Sequence, residues 1–289
     1  MKIGGNRLSD IRKFFYTQLE PQYSKEEVLV LFRLAAGWIN GFSHLTLHLE
    51  PDKRVLESEL LAYSRFVKRL RKGEPVQYIM GKTWFMDLEL KLSPAVLIPR
   101  PETEELVNLI VEQYSNTDSL HIHDACTGSG CIALALKHYL PQARLSASDL
   151  SAEALALAAD NARQLQLEVH FEQFDLLQAG NLSAPVDVLV SNPPYITHKE
   201  AAGMSSTVLD YEPHLALFAP GSDALVFYRK LAELAAGPSL KPGGLLAVEC
   251  HYQRCPEVAA LFSQAQLTEV QIHQDLSGNP RMVSAVKRG

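Results

Sequence analysis

The segment from Leu120 to Asp149 constrains the fold more tightly than any other part of the chain. Leu120-His121-Ile122-His123-Asp124-Ala125 alternates as a strand does, Cys126-Thr127-Gly128-Ser129-Gly130 is a turn of small residues, and Cys131 to Lys137 continues as a helix. A second strand, Ala143 to Ser148, ends at Asp149, and Ser151 stands as the N-cap of a helix running to about Gln166. Strand–helix alternation extends from Glu102 onward, as expected of a doubly wound sheet. A glycine turn before a helix lets a ligand approach the backbone closely and offers it unpaired N–H groups. An acidic residue at the end of the second strand can accept both hydroxyls of a ribose. These features favour a nucleoside cofactor without choosing one, since Gly128-x-Gly130-x-x-Ala133 alone suits a nicotinamide site equally.

A second motif narrows the choice. Val186-Asp187-Val188-Leu189-Val190-Ser191 reads as a buried strand, and Asn192-Pro193-Pro194-Tyr195 closes it. Neither proline offers an N–H to a ladder, and each fixes its own φ while pushing the preceding residue into extended backbone. The result is a rigid turn holding an amide and a tyrosine ring at a strand's carboxyl end, the edge where open α/β sheets bind ligands. A stiff amide acceptor beside an aromatic plate suits a planar –NH2 group. A proline-rich turn without chemistry is the plain alternative.

Together the two motifs resemble those of S-adenosylmethionine-dependent methyltransferases that modify planar nitrogens. Four more segments occur in the matching order: Glu74-Pro75-Val76-Gln77-Tyr78-Ile79-Met80-Gly81, Leu97-Ile98-Pro99-Arg100-Pro101-Glu102-Thr103-Glu104, Tyr211-Glu212-Pro213 and Asp275-Leu276-Ser277-Gly278. On these, from about Arg7 to Val286, the chain is similar to the peptide chain release factor N5-glutamine methyltransferases, the PrmC/HemK family. The resemblance implies an α/β fold: a doubly wound, seven-stranded Rossmann-like methyltransferase domain with one antiparallel strand, and a small N-terminal helical bundle that contacts the protein substrate. It implies S-adenosyl-L-methionine as methyl donor, released as S-adenosyl-L-homocysteine. The acceptor it implies is the glutamine of the Gly-Gly-Gln tip in class I release factors.

By position in those motifs, Asn192, Pro193 and Tyr195 are the catalytic residues, and with Pro194 they bind the substrate. Cys126, Thr127, Gly128, Ser129, Gly130, Asp149, Asp175, Leu176 and Asn192 are the cofactor-binding set, with Arg100, Pro101 and Glu102 in support. The expected chemistry is alignment: Asn192 Oδ1 and the Pro193 carbonyl each accept an N–H of the substrate amide, and Tyr195 packs against its plane. Three positions depart from the family pattern. Cys126 stands where glycine is usual, Leu176 follows Asp175 where an aromatic is common, and Glu249-Cys250-His251 replaces Glu-hydrophobic-Gly after the turn Pro242-Gly243-Gly244.

Rival readings are an amino-methyltransferase acting on DNA or RNA bases, a nicotinamide dehydrogenase and a catalytically silent adaptor. A formal net charge of −6 and a pI near 5.9 weigh against broad phosphate-backbone binding, so stable nucleic-acid binding is not expected. No apolar run reaches membrane-spanning length, and Met1-Lys2-Ile3-Gly4-Gly5 lacks a signal-peptide core, which argues for a cytoplasmic enzyme without membrane contact. A monomer is expected. Cys126/Cys131 and Cys250/Cys255 lack close Cys-x-x-Cys spacing, so reduced, mostly buried thiols and no metal are expected. His121 and His123 share a strand face and suit packing or solvent better than ligation.

The expected domains are 1–76, helical and substrate-recognising; 77–98, a hairpin linker; and 99–289, the methyltransferase domain. Leu8 to Leu19 is amphipathic, and Ser24-Lys25-Glu26-Glu27 is a capping box. A longer helix is expected from Pro51-Asp52 to just before Gly73, with Leu56, Leu60, Tyr63 and Val67 on one face. Arg65, Lys68, Arg69, Arg71 and Lys72 read as its solvated end, or alternatively as a docking patch for an acidic partner. The loop from Ile196 to Tyr211 either orders over substrate or is a passive surface loop.

Overall fold

The computed structural model describes residues 3–178 and 180–289. Two compact units divide between Gly81 and Lys82.

The first unit is built from α1 (Leu8–Leu19), α2 (Lys25–Asn40), α3 (His44–Leu49), α4 (Glu57–Leu70) and α5 (Val76–Met80). Ser24 and Glu27 cap α2 reciprocally, each side chain bonding the other's backbone N–H, at 3.2 and 2.7 Å. Such a cap contributes about 1 kcal/mol. Phe15, Phe32, Tyr63 and Phe66 form the centre of the bundle, with Phe15 edge-on to Phe32 at 5.5 Å and to Tyr63 at 6.1 Å. The fourth helix starts six residues after Pro51, not at it. Residues 51–52 form a turn, Asp52 pairs with Arg7, and Glu59 takes the Leu56 N–H to begin the helix. Leu56 is therefore exposed instead of joining the buried face. Arg69 leaves the basic cluster: it forks onto Glu74 at 2.5 and 2.7 Å and donates to the Ile79 carbonyl, tying α4 to α5. Residues 77–98 do not act as one linker, because Val76–Met80 is helical and packs with the first unit while the hairpin that follows belongs to the second.

The second unit opens with that hairpin, β1 (Lys82–Phe85) and β2 (Leu88–Lys91). It continues through α6 (Pro101–Tyr114), β3 (His121–Ala125), α7 (Cys131–Tyr139), β4 (Arg144–Asp149), α8 (Ala152–Leu165), β5 (His170–Gln173) and β6 (Val186–Ser191). Then come α9 (Ser206–Tyr211), α10 (His214–Leu217), α11 (Val226–Ala236), β7 (Leu240–Glu249), α12 (Cys255–Gln264), β8 (Thr268–Gln274) and β9 (Pro280–Val286). Seven strands form one sheet in the order β5-β4-β3-β6-β7-β9-β8, with β9 antiparallel to both its neighbours. Side chains alternate along each strand, so Val188 and Val190 pack with α6 and α7 on one face while Leu189 meets α11 and α12 on the other.

The register positions the site. Ala125 pairs with Ser148 on one side and Ser191 on the other, and Ser191 pairs with Val248. Cys126, Asp149, Asn192 and Glu249 are the next residues along four adjacent parallel strands, so they lie in a row at one carboxyl edge. That edge contains the topological switch point between β3 and β6, where open sheets bind ligands.

His123 is buried and its two ring nitrogens each lie 2.9 Å from a serine hydroxyl, of Ser146 and Ser148; burial pushes its pKa down to about 3. The ring is a neutral, satisfied core group. All four cysteines are free, three of them buried. Among the described residues no cluster of histidine, cysteine and carboxylate side chains has a metal-binding arrangement, and no helix is long and apolar enough to cross a membrane.

Candidate active site

A cavity of about 750 Å3 opens at this edge of the second unit. Its wall includes the turn Cys126, Thr127, Gly128 and Ser129 after β3, Asp149 at the end of β4, and Asn192 and Pro194 after β6. Asp175, Leu176 and Arg100 also line it. A volume of this size suits a ligand as large as a nucleoside with a side chain.

The glycine turn is held from behind. Asp149 accepts the Gly128 N–H through one carboxylate oxygen and the Ser151 N–H through the other, each at 2.9 Å. Each oxygen keeps a further lone pair for a ligand hydroxyl. Burial raises the Asp149 pKa, and those backbone bonds oppose the rise. Asn161, fully buried on α8, donates to the Ser129 carbonyl at 3.0 Å and exchanges bonds with both backbone groups of Lys91. Nothing in the sequence pattern around Asn161 marks it, because its partners lie 32 and 70 residues away.

Gly128 and Gly130 serve different purposes. Both have positive φ, but a Cβ on Gly128 meets nothing within 4 Å, whereas one on Gly130 would sit 3.1 Å from the Ala158 Cβ. Gly130 is accordingly off the cavity wall; it lets α7 start close against α8. Cys126 also has positive φ, +62°, which explains why glycine suits that position. Burial holds its thiol protonated. Two aromatic residues that local sequence pattern does not single out, Phe174 and Phe227, line the wall together with Leu176.

Asn192 puts an amide on the cavity wall. Its Nδ2 donates to Glu249 Oε2 at 2.9 Å and to Thr103 Oγ1 at 3.2 Å, and Thr103 in turn donates to Glu249 at 2.6 Å. Burial raises the Glu249 pKa to about 7. Pro193 and Tyr195 do not line the cavity. Pro193 is buried under the turn, and the Tyr195 ring lies against the second core cluster, 6.3 Å from His251, with its hydroxyl pKa raised by burial. Pro101 and Glu102 are off the wall as well, since Pro101 opens α6 and Glu102 is on the side of Arg281. The segment 196–211 is helical in two places, Glu200–Gly203 and α9, and is fastened by Thr197–Glu200 and Glu200–Arg254 contacts. His198 stacks on Phe218 at 4.6 Å, and both line the cavity.

Residues 103–249 match the methyltransferase small domain, and residues 10–81 match the PrmC N-terminal domain. A release factor glutamine methyltransferase of Bacteroides thetaiotaomicron is 37% identical over 279 residues, spanning 96% of this chain and 99% of that one. The chain belongs to the release factor glutamine methyltransferase family. A second member, from Lactococcus lactis, is 42% identical over 248 residues, 85% of this chain and 88% of its own. The crystal structure of a methyltransferase from Pyrococcus furiosus shares the fold, with a TM-score of 0.53 at 17% identity over 71% of this chain and 91% of that one.

Membership makes the chain an S-adenosylmethionine-dependent methyltransferase, and the cavity fits that donor. Ser129 Oγ is buried at the wall with no hydrogen-bond partner among the described residues, an orphaned hydroxyl available to a polar ligand. Asp149 offers acceptors for ribose hydroxyls, and Leu150, Phe174 and Phe227 offer apolar faces for a base.

Proposed function

We propose that this protein methylates the side-chain amide nitrogen of a glutamine, the one in the Gly-Gly-Gln tip of class I release factors. The observation that carries this is the placement of Asn192, Gly128 and Asp149 on one cavity wall. An amide acceptor and a nucleoside pocket share a single space.

Bound S-adenosylmethionine supplies an electrophilic methyl group, so the protein's own residues face a different problem. An amide nitrogen is a poor nucleophile because its lone pair is delocalised into the carbonyl. Asn192 Oδ1, on the cavity wall, takes an N–H of the substrate amide, while Pro193, buried off that wall, stiffens the turn that carries it. That bond holds the nitrogen in line and favours positive charge growing on it. Orienting two reactants contributes on the order of 7–11 kcal/mol, against about 3–4 for one preorganised polar group, so alignment dominates. Tyr195 supports the turn from its core side.

The acidic net charge suits a folded protein substrate better than a nucleic-acid backbone. Cytoplasmic, monomeric action on release factors completes the proposal. Incubating the protein with labelled S-adenosylmethionine and purified release factor, then locating the label by mass spectrometry, tests it. Label on the Gly-Gly-Gln amide nitrogen is expected; label on nucleic acid, with none on release factor, would reject it.

A further inference from the structure

An asparagine amide has two ends of similar shape and opposite function, and only one of them can accept an N–H. A half-turn of the Asn192 side chain would present a donor to the substrate amide and set N–H against N–H. Nothing in the Asn-Pro-Pro-Tyr turn itself forbids that flip. The prolines fix the backbone and leave the terminal side-chain torsion free.

The prohibition comes from elsewhere in the fold. Both hydrogens of Asn192 Nδ2 are spent on buried acceptors, one on Glu249 Oε2 at 2.9 Å and one on Thr103 Oγ1 at 3.2 Å. The Thr103 hydroxyl has its own proton committed to the same Glu249 oxygen at 2.6 Å, so toward Asn192 it can only accept. The triangle therefore reads in one direction. With both N–H groups turned inward, Oδ1 is the only part of the amide left for the cavity. Flipping it would set an amide oxygen against a carboxylate oxygen and a hydroxyl whose proton is already used. Low dielectric makes such an unpaired contact costly.

We propose that Glu249 and Thr103 are positioning residues for methyl transfer, fixing the polarity of the Asn192 amide so that its oxygen faces the substrate nitrogen. The inference rests on the methyl-transfer assignment above. Glu249 is off the cavity wall and Thr103 is on it, yet in this scheme both act through Asn192. Glu249 stands at the end of β7 and Thr103 in the first turn of α6, so the polarity of the site is set by two elements other than the strand that carries Asn192.

Charge strengthens the lock. An ionised Glu249 accepts both bonds as a carboxylate, whereas its protonated form gains an O–H that can donate to a flipped Oδ1. The charged and titratable groups facing Glu249 are Arg281 from β9 and Glu102 from α6, with the Tyr195 hydroxyl, Cys250, Cys131 from α7 and Tyr228 from α11 around them. Glu249 titrates near 7 because it is buried.

The test compares Glu249→Ala, Glu249→Gln, Thr103→Val and Thr103→Ser with the native chain, using purified release factor at saturating S-adenosylmethionine. Cofactor affinity by calorimetry confirms that each variant is folded. Glu249→Ala should lower kcat about a hundredfold and Thr103→Val about tenfold, with KM for release factor and cofactor affinity within about threefold. Thr103→Ser should recover most of what Thr103→Val loses. Native kcat should fall as pH drops through about 7, and Glu249→Gln, which keeps an acceptor but cannot ionise, should lose that limb. If Glu249→Ala does not fold, the Thr103→Val and Thr103→Ser pair decides. An active native enzyme with both Glu249→Ala and Thr103→Val within threefold of it overturns the positioning role alone. A native chain that binds cofactor but methylates no release factor overturns the functional assignment, and this inference with it.

Discussion

Arg100 Nη2 donates to Glu212 Oε1 at 2.5 Å, joining two segments 112 residues apart, and Glu212 Oε2 also accepts the Ile98 N–H at 3.2 Å. The two partners are buried unequally: the Glu212 side chain is 2% exposed and that of Arg100 is 35% exposed. That asymmetry makes their removal unequal. Arg100→Met strands a buried carboxylate with one backbone donor and should cost about 3–4 kcal/mol, while Glu212→Gln leaves a guanidinium that water can solvate and should cost about 1–2. Urea unfolding of the two variants checks the order, and equal costs would refute the argument.

Replacing Asn192 by alanine removes the acceptor from the cavity without touching the glycine turn. Turnover should fall at least roughly a hundredfold while S-adenosylmethionine affinity changes far less. Near-normal turnover in this variant would remove Asn192 from the mechanism.

Asn192→Asp behaves differently because of its neighbour. It would place a second carboxylate within hydrogen-bond distance of Glu249, and two such groups cannot both ionise. The variant should lose at least about 2 kcal/mol of stability at pH 8 and regain much of it at pH 6, where one proton is shared. Denaturant titrations at both pH values measure this. A pH-independent loss would mean that the two side chains do not meet.

Asp124 offers a cleaner reading of burial. It is fully buried, one oxygen accepts from Thr127, the other has no side-chain partner among the described residues, and burial pushes its pKa up to about 7. A carboxyl whose folded pKa lies above its unfolded value favours the folded state when protonated. Its ionisation thus costs stability as pH rises from about 4 through 7. Asp124→Asn should therefore gain on the native chain by roughly 3 kcal/mol between pH 5 and pH 8, whatever its offset at pH 5. A constant offset would show that the carboxylate is solvated.

Much of this architecture is readable from local pattern. The strand, glycine turn and helix from His121 to Tyr139, and the double proline after β6, announce themselves because their causes lie within a few residues. Helix α3 escapes notice because six residues give too little periodicity. The start of α4 is displaced because Pro51-Asp52, a fair helix entry by composition, is taken up by a turn that Arg7 holds. Thr103 and Glu249 are silent for another reason. They lie 89 and 57 residues from Asn192, and only the order of β6, β7 and α6 around the sheet brings the three together. Tyr195 shows the converse: adjacency in sequence suggested a ring on the cavity wall, and the turn sends it to the core side instead.

Cys126 tests whether a strained backbone is worth keeping. Its left-handed φ costs a side-chain-bearing residue about 1–2 kcal/mol that glycine avoids, while glycine forfeits about 0.5–1 through the freer unfolded chain. The thiol is protonated and makes no charged contact that its loss would break. Cys126→Gly should therefore raise the unfolding free energy by roughly 0.5–1 kcal/mol and leave S-adenosylmethionine affinity within about threefold. Cys126→Val places a β-branched side chain in the same backbone conformation and on the cavity wall, so it should lose about 2 kcal/mol or more and weaken S-adenosylmethionine binding as well. If glycine destabilises the protein by more than about 1 kcal/mol, the thiol's packing against the second core cluster outweighs the strain.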